Sequence, residues 1–282
     1  MLFGEYLVLK GADCLAFPLK FGQQLSISES DTLKWESYAK DQMWFHVTMD
    51  NGLNIIETND DKVAEILKNL FVVIREECPN LNLSHFFKAE ANFELNWGLG
   101  SSSTLISLLS QWSGVAPEKL LSTSFGGSGY DVACATAKDA IIYANGKTKK
   151  EIHLADSLTE NMLFVYLGNK QNSREEIKRF KGAEVSSEDV RNVNKIIENS
   201  IETKNIETFE TLLNDSENIV SRIIGSEKLK DRLFADYEYS IKSLGAWGGD
   251  FFLATSREIE KAKAYFRAKG YETMFTYKEL IK

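Results

Sequence analysis

Helical spacing of apolar residues is clearest over residues 61–77, where Val63, Ile66, Leu67, Leu70, Phe71 and Ile74 share one face. Cys78-Pro79 marks the end of that helix, because proline disfavours helical backbone in the residue before it. Residues 88–95 follow the other period: Ala89, Ala91, Phe93 and Leu95 alternate with Lys88, Glu90, Asn92 and Glu94, the pattern of a half-buried strand. A second helical stretch places Leu105, Leu108, Leu109 and Trp112 on one face, and short helices are predicted over 117–122 and 130–138. Residues 140–144, Asn145-Gly146 and the strand after them predict a hairpin. Residues 162–167 (MLFVYL) form a strand of the fully buried kind, and 172–181 a basic helix with Ser173 and Glu176 placed as a capping box. Residues 187–224 predict two helices broken near Lys204. A strand at 251–254, a helix at 257–269 and a strand at 273–276 follow. Residues 1–9 (MLFGEYLVL) and 42–48 (QMWFHVT) complete the set as strands, with Asn51-Gly52 a turn. The order is mixed α+β.

Length and charge narrow the classes of function. The chain has 282 residues, enough for about two domains. At 43% hydrophobic and 26% charged it has the balance of a globular protein with a full core. A net charge of −8, from 33 basic and 41 acidic residues, argues against a general nucleic-acid binder, which would carry a basic patch. It leaves room for an anion held locally by backbone amides or a metal ion. Cys14, Cys78 and Cys134 are odd in number and widely spaced, so neither a zinc site nor a disulfide framework is indicated. His46, His85 and His153 have no ligand spacing. With no signal-peptide pattern and no apolar run long enough to span a bilayer, a cytosolic protein without a membrane partner is expected.

The candidate chemistry lies in three glycine loops. Gly98-Leu99-Gly100-Ser101-Ser102-Ser103 stands between a predicted strand and a predicted helix. Its glycines allow a tight turn and close approach to a ligand. The helix start then offers unpaired amides and the positive end of its dipole, so an anion can be held without a lysine. The Walker pattern is absent, and Ser103 replaces the third glycine of the dinucleotide fingerprint, so a serine-capped helix after a tight turn is the alternative. In the second loop, residues 125–135 (FGGSGYDVACA), Asp131 falls in the first turn of a helix. It either caps that turn or takes a proton from, or orients, a nucleophilic hydroxyl. The third, residues 242–254 (KSLGAWGGDFFLA), sets three glycines around Trp247 before a strand.

In this order the three loops resemble the GHMP kinase superfamily of galactokinase, homoserine kinase, mevalonate kinase and phosphomevalonate kinase. FGEYLVLKG at residues 3–11 is similar to that family's first motif, GLGSSS at 98–103 to its phosphate loop, GSGYDVA at 127–133 to the segment with the catalytic aspartate, and GAWGGD at 245–250 to its third motif. Gly4-Glu5-Tyr6 and residues 128–132 lean toward the phosphomevalonate kinase branch.

The resemblance implies a two-domain α+β fold. Residues 1–158 would form an ATP-binding domain of ribosomal S5-like type with a left-handed βαβ crossover, and residues 159–282 a ferredoxin-like domain. It implies phosphoryl transfer from ATP, with Mg²⁺, to a small-molecule acceptor of the mevalonate pathway. By position, Gly98, Leu99, Gly100, Ser101, Ser102 and Ser103 would wrap the ATP phosphates, Ser102 would hold Mg²⁺, and Asp131 would be the base or orienting carboxylate. Gly245 and Gly248 would brace the phosphate loop. Glu5 and Tyr6 would line the acceptor side, joined by Lys170 and Arg174 from the densest basic stretch, whose alternative is a solvated helix face. Trp97 either stacks on adenine or fills core, and core is the expectation. There are departures. Counting back from Glu5 leaves the chain before the family's usual lysine, which therefore lies upstream or is missing. Leu244 and Trp247 stand where serine or threonine and glycine are usual. A catalytically inactive GHMP-fold protein binding a nucleotide or metabolite, and a sugar kinase, are the competing readings.

Overall fold

A computed structural model describes residues 1–168, 180, 183–245, 247 and 250–282. The strands are β1 (Cys14–Ala16), β2 (Gln23–Glu29), β3 (Leu33–Ala39), β4 (Gln42–Met49), β5 (Ile55–Thr58), β6 (His85–Ala91), β7 (Ala140–Ala144), β8 (Lys147–Ile152), β9 (Met162–Tyr166), β10 (Ile241–Ser243), β11 (Phe251–Thr255) and β12 (Met274–Thr276). The first helices are α1 (Asp61–Glu77), α2 (Ser101–Ser113), α3 (Pro117–Ser124) and α4 (Tyr130–Thr136). Contacts divide the chain into two units. One holds Phe21–Leu95 and Leu99–Thr136; the other holds Met1–Lys20, Asn96–Gly98 and Ala137–Lys282.

The first unit is built on a five-stranded sheet in the order β2-β6-β3-β4-β5. β3 and β6 run parallel, while their outer neighbours are antiparallel. A parallel pair needs a crossover, and the intervening chain supplies one through α1. Asp60 caps α1, its Oδ1 accepting from Lys62 N at 3.0 Å and Val63 N at 3.1 Å. That helix buries Ala64, Leu67, Leu70, Phe71 and Ile74 against the sheet's Trp35, Phe45, Val47 and Phe87. Each large apolar side chain so removed from water contributes about 1.5–3 kcal/mol. Trp35 stacks on Phe87 at 5.5 Å and donates its indole N–H to Ser37 Oγ at 2.8 Å.

Helix α2 turns a different face inward from the one its leucines predict. Ser103, Ile106, Ser107 and Leu109 are its buried residues, with Leu105 and Trp112 partly buried at the core's edge. Ser103 faces inward with its hydroxyl on Asp131, and Ser107 Oγ accepts from Gln111 Nε2 at 3.0 Å one turn on.

The second unit contains two antiparallel sheets, β1-β7-β8 and β10-β11-β9-β12. Numbered in chain order within the latter, its strands run 2-3-1-4, with helices after the first and third: the split βαβ arrangement of ferredoxin-like folds. Asn145 (φ 51°) and Gly146 (φ 77°) make the left-handed hairpin turn between β7 and β8. The polar stretch does break into two helices, Ser187–Glu202 and Ile206–Ile224.

Residues 1–9 are not a strand. Leu2 and Phe3 pair briefly with Leu15; Gly4 then turns at φ +91° and a 3₁₀ turn covers Leu7–Lys10. A Cβ on Gly4 would sit 2.7 Å from Cys14 Cβ, so close backbone approach to β1 forces the turn, and the apolar run is core on several sides at once. The basic helix of 172–181, including Ser173 and Glu176, lies outside the described residues apart from Phe180. Among the described residues no helix is long and apolar enough to cross a membrane.

Candidate active site

The glycine-serine loop is where the chain passes from one unit to the other, between Gly98 and Leu99. Gly100 is the N-cap of α2, with left-handed backbone (φ 80°), and no side chain caps the helix. The amides of Ser101, Ser102 and Ser103 therefore stand at the positive end of a 13-residue helix without an intrahelical acceptor. A Cβ on Gly100 would meet nothing within 4 Å, so open space lies beside this helix start. The hydroxyls are divided. Thr104 Oγ1 donates to Gly100 O at 3.2 Å and Ser101 O at 3.0 Å. Ser103 Oγ donates to Asp131 Oδ2. Ser102, half-buried, makes no side-chain hydrogen bond among the described residues.

Asp131 arrives from the second loop. Gly126, Gly127 and Gly129 all have left-handed backbone, at φ 64°, 107° and 84°, and feed the chain into α4. There Asp131 Oδ1 accepts from Val132 N at 3.1 Å while Oδ2 faces Ser103. The sequence pairs Asp131 in purpose with Ser102; the structure places Ser103 in direct contact with it, because Ser103 is on the inward face of α2 and Ser102 is not.

The other unit holds the first and third motifs. Leu95–Trp97 is a 3₁₀ turn, and Trp97, half-buried rather than the core residue expected, packs edge-on against Phe251 at 6.4 Å and Phe275 at 5.5 Å. Gly98 (φ 68°) lies directly against the side chain of Asp250, and Gly245 (φ 63°) is close to the same carboxylate. Trp247 is buried with left-handed backbone (φ 52°), and its Nε1 has no hydrogen-bond partner among the described residues. Gly248, Lys170 and Arg174 lie outside the described residues.

Glu5 belongs to a buried ion cluster that the sequence does not announce. Lys242, at 0% exposure, reaches Glu5 and lies 3.3 Å from Glu217 Oε1. Ser243 adds two bonds to Glu217, from its N at 3.1 Å and its Oγ at 3.2 Å. Burial above all, with the charge of Glu5, raises the Glu217 carboxyl, while Lys242 and the Ser243 hydroxyl oppose the rise; the net is about 7. Burial alone would lower the Lys242 ammonium, yet the charges of Glu5 and Glu217 raise it above its ordinary value. Glu5 Oε2 is buried with no hydrogen-bond partner among the described residues. Next to it Tyr6 takes left-handed backbone (φ 62°) and packs its ring on Phe180 at 5.0 Å. Glu5 and Tyr6, read from the sequence as lining the acceptor side, are thus both buried within their own unit. The one signal for this cluster is Lys242 itself, a charge in a three-residue strand that is otherwise buried. Among the described residues no group of three His, Cys, Asp or Glu side chains is arranged to hold a metal ion.

No protein-family model matches the sequence, and no curated protein matches it. Solved structures do. A mevalonate kinase from Methanococcus jannaschii matches with a TM-score of 0.70 at 19% identity, over 97% of this chain and 93% of that one. Streptococcus pneumoniae phosphomevalonate kinase, in complex with phosphomevalonate and AMPPNP, matches with a TM-score of 0.72 at 15% identity, over 96% and 95%. Lactococcus lactis galactokinase, complexed with galactose, matches with a TM-score of 0.69 at 13% identity, over 98% and 90%. The likeness read from the three glycine loops is therefore a likeness of the whole molecule, and the chain has the fold of the GHMP kinases.

Proposed function

We propose that the protein is an ATP-dependent small-molecule kinase whose acceptor is an isoprenoid precursor of the mevalonate or phosphomevalonate kind. The observation that carries this reading is the start of α2: uncapped amides, open space beside Gly100, and a carboxylate tied to the same helical turn. That combination fits a phosphate chain, because oriented N–H groups and the helix dipole favour an anion there.

Gly98, Leu99 and Gly100 give the loop its path, and the amides of Ser101, Ser102 and Ser103 would hold phosphate oxygens. Of the hydroxyls nearby, and among the described residues, those of Ser103 and Thr104 are engaged and those of Ser101 and Ser102 are not; of these two, Ser102 stands where the resembling kinases place their Mg²⁺ ligand and would hold the ion. The ion, when bound, spreads the charge of the transferring group. Asp131, held by Ser103, would orient the acceptor hydroxyl or phosphate oxygen and take up its proton where it has one. Gly245 and Gly248 remain the bracing glycines, and Lys170 and Arg174 the acceptor-side cations; Glu5 and Tyr6, both buried, would shape that side from beneath rather than touch the acceptor. Residues 1–158 would carry ATP and 159–282 the rest of the acceptor site. An acceptor that already bears a phosphate would need the last two cations, so replacing Lys170 and Arg174 by alanine should raise its KM far more than that of ATP.

The test is ADP release from Mg·ATP against mevalonate, phosphomevalonate, homoserine and hexoses. Turnover with one of the first two is expected, and turnover with a hexose alone would move the assignment to a sugar kinase. Asp131→Asn should cut kcat by about 10²–10⁴-fold, the usual worth of a positioned proton acceptor, while Mg·ATP affinity stays near wild type. Wild-type turnover in that variant would remove the role. Trp247, bulky where the resembling kinases carry glycine, favours the second reading, an inactive binder; Mg·ATP binding by calorimetry with no turnover on any acceptor would establish that instead.

A further inference from the structure

The third loop contributes a group that neither the phosphate loop nor Asp131 accounts for. Asp250, at 8% exposure, has its side chain directly against the Cα of Gly98. A Cβ built on Gly98 would collide with the whole carboxyl group, Oδ2 standing 2.6 Å away. The same Oδ2 would be 3.5 Å from a Cβ on Gly245, so one carboxylate is wedged between two glycines, both with left-handed backbone. A second tie reaches the same segment: Tyr166 donates its hydroxyl to Asn96 O at 2.7 Å. Tyr166 and Asp250 are themselves joined, since Leu167 N donates to Asp250 O at 2.8 Å and Tyr166 pairs with Phe251 across β9 and β11. Burial and the Asp250 charge raise the Tyr166 phenol above its ordinary value, which keeps its hydroxyl a donor.

We propose that Asp250 is a positioning residue for the glycine-serine loop: its carboxyl group fills the place a side chain at residue 98 would take and, with Tyr166, clamps Asn96–Gly98 to the ends of β9 and β11. Gly98 and Gly100 are then glycines for different reasons. Gly100 borders open space, whereas Gly98 yields its space to Asp250. The clamp fixes where the loop begins, and so where the amides that follow are aimed. The effect on ATP rests on the kinase reading; the clamp does not.

The experiment is a double-mutant cycle of Gly98→Ala and Asp250→Ala, with Asp250→Asn as the variant that keeps the shape. Three readouts are taken: urea unfolding, the amide resonances of Gly100 and Ser101–Ser103 in selectively ¹⁵N-labelled protein, and Mg·ATP affinity by calorimetry. Gly98→Ala should be damaging beside Asp250 and far milder in the Asp250→Ala background, a coupling of about tenfold or more in the folding equilibrium, within the range for contacting residues. Asp250→Ala should displace the loop amides and weaken Mg·ATP about tenfold or more, the same coupling expressed at the ligand, and Asp250→Asn should restore most of both. Additive unfolding effects would overturn the clamp. Loop amides unmoved in Asp250→Ala would overturn the positioning role even if unfolding effects couple. A wild type that fails to bind Mg·ATP would sink the kinase reading, and the first two readouts would still decide the clamp.

Discussion

Asp131 and Glu217 are both carboxylates that accept a bond from a serine hydroxyl, Ser103 in one case and Ser243 in the other. Their surroundings differ. Asp131 is half-buried at a helix start, with one hydroxyl and one amide as partners, and it keeps an open side. Glu217 is 1% exposed and shares a single lysine with a second carboxylate. A hydroxyl contact therefore does not distinguish a carboxylate available for chemistry from one that holds the fold. Burial and the count of charges do. Two buried carboxylates against one ammonium leave an excess negative charge, and removing that from water is costly. The molecule answers by raising Glu217 until it is partly protonated near neutrality.

The largest effect that would break this contrast is Lys242→Met. It strips the shared cation from two buried carboxylates and should cost about 3–5 kcal/mol in urea unfolding, the usual penalty for breaking a buried pair. A loss below about 1 kcal/mol, the level of an exposed pair, would mean the cluster is not structural. Next comes the pH dependence of Glu217. Its folded pKa is about 7 against an ordinary 4.5, so the folded state binds that proton more tightly. Its contribution is fully present below pH 4.5 and is lost as pH rises through about 7. Subtracting the Glu217→Gln unfolding curve from wild type should therefore show stability falling across that window, by at most about 1.4 kcal/mol per pH unit. A flat difference curve would show that burial does not set this group's titration. Asp131→Asn should shift unfolding by about 1 kcal/mol or less, the value of a helix-start group, so that its loss of turnover stands apart from stability. Smallest is Ser103→Ala: it removes one hydroxyl from an Asp131 that keeps its Val132 amide, and a cost of about 0.5 kcal/mol is expected, with a drop in kcat smaller than that of Asp131→Asn.

What could be read from the sequence was what is decided locally. Helix α1 is bounded by its own cap, Asp60, and by a period that its buried residues follow. The break near Lys204 and the Asn145-Gly146 turn are likewise set by neighbours in the chain. The pattern assigns no strand to β3, because Ser37 interrupts its apolar alternation; that serine is buried as the acceptor for Trp35. At the candidate site the glycine loops were legible from turn chemistry, and the contacts they make were not. Glu5 and Lys242 are 237 positions apart, and no periodicity links them. Gly98 and Asp250 are joined by shape alone. That Ser103 rather than Ser102 reaches Asp131 depends on how α2 is rotated, which its leucines misstate because hydroxyls occupy two of its inward positions.

The division of the chain bears on the order in which it can fold. Phe21–Leu95 and Leu99–Thr136 are nearly continuous, so the five-stranded sheet and its helices can close once residue 136 has left the ribosome. The other unit cannot. β1 needs β7, Leu19 bridges Ile281, and Lys20 N waits for Leu280 O. Leu2 and Phe3 can pair with Leu15 early, but the Phe3 ring packs on Phe209, far later in the chain, and must wait for it. Pairings that span so much chain form slowly. A nascent chain stalled between residues 140 and 208 should thus carry one protease-resistant core and an exposed apolar leading segment, the species on which a chaperone would act.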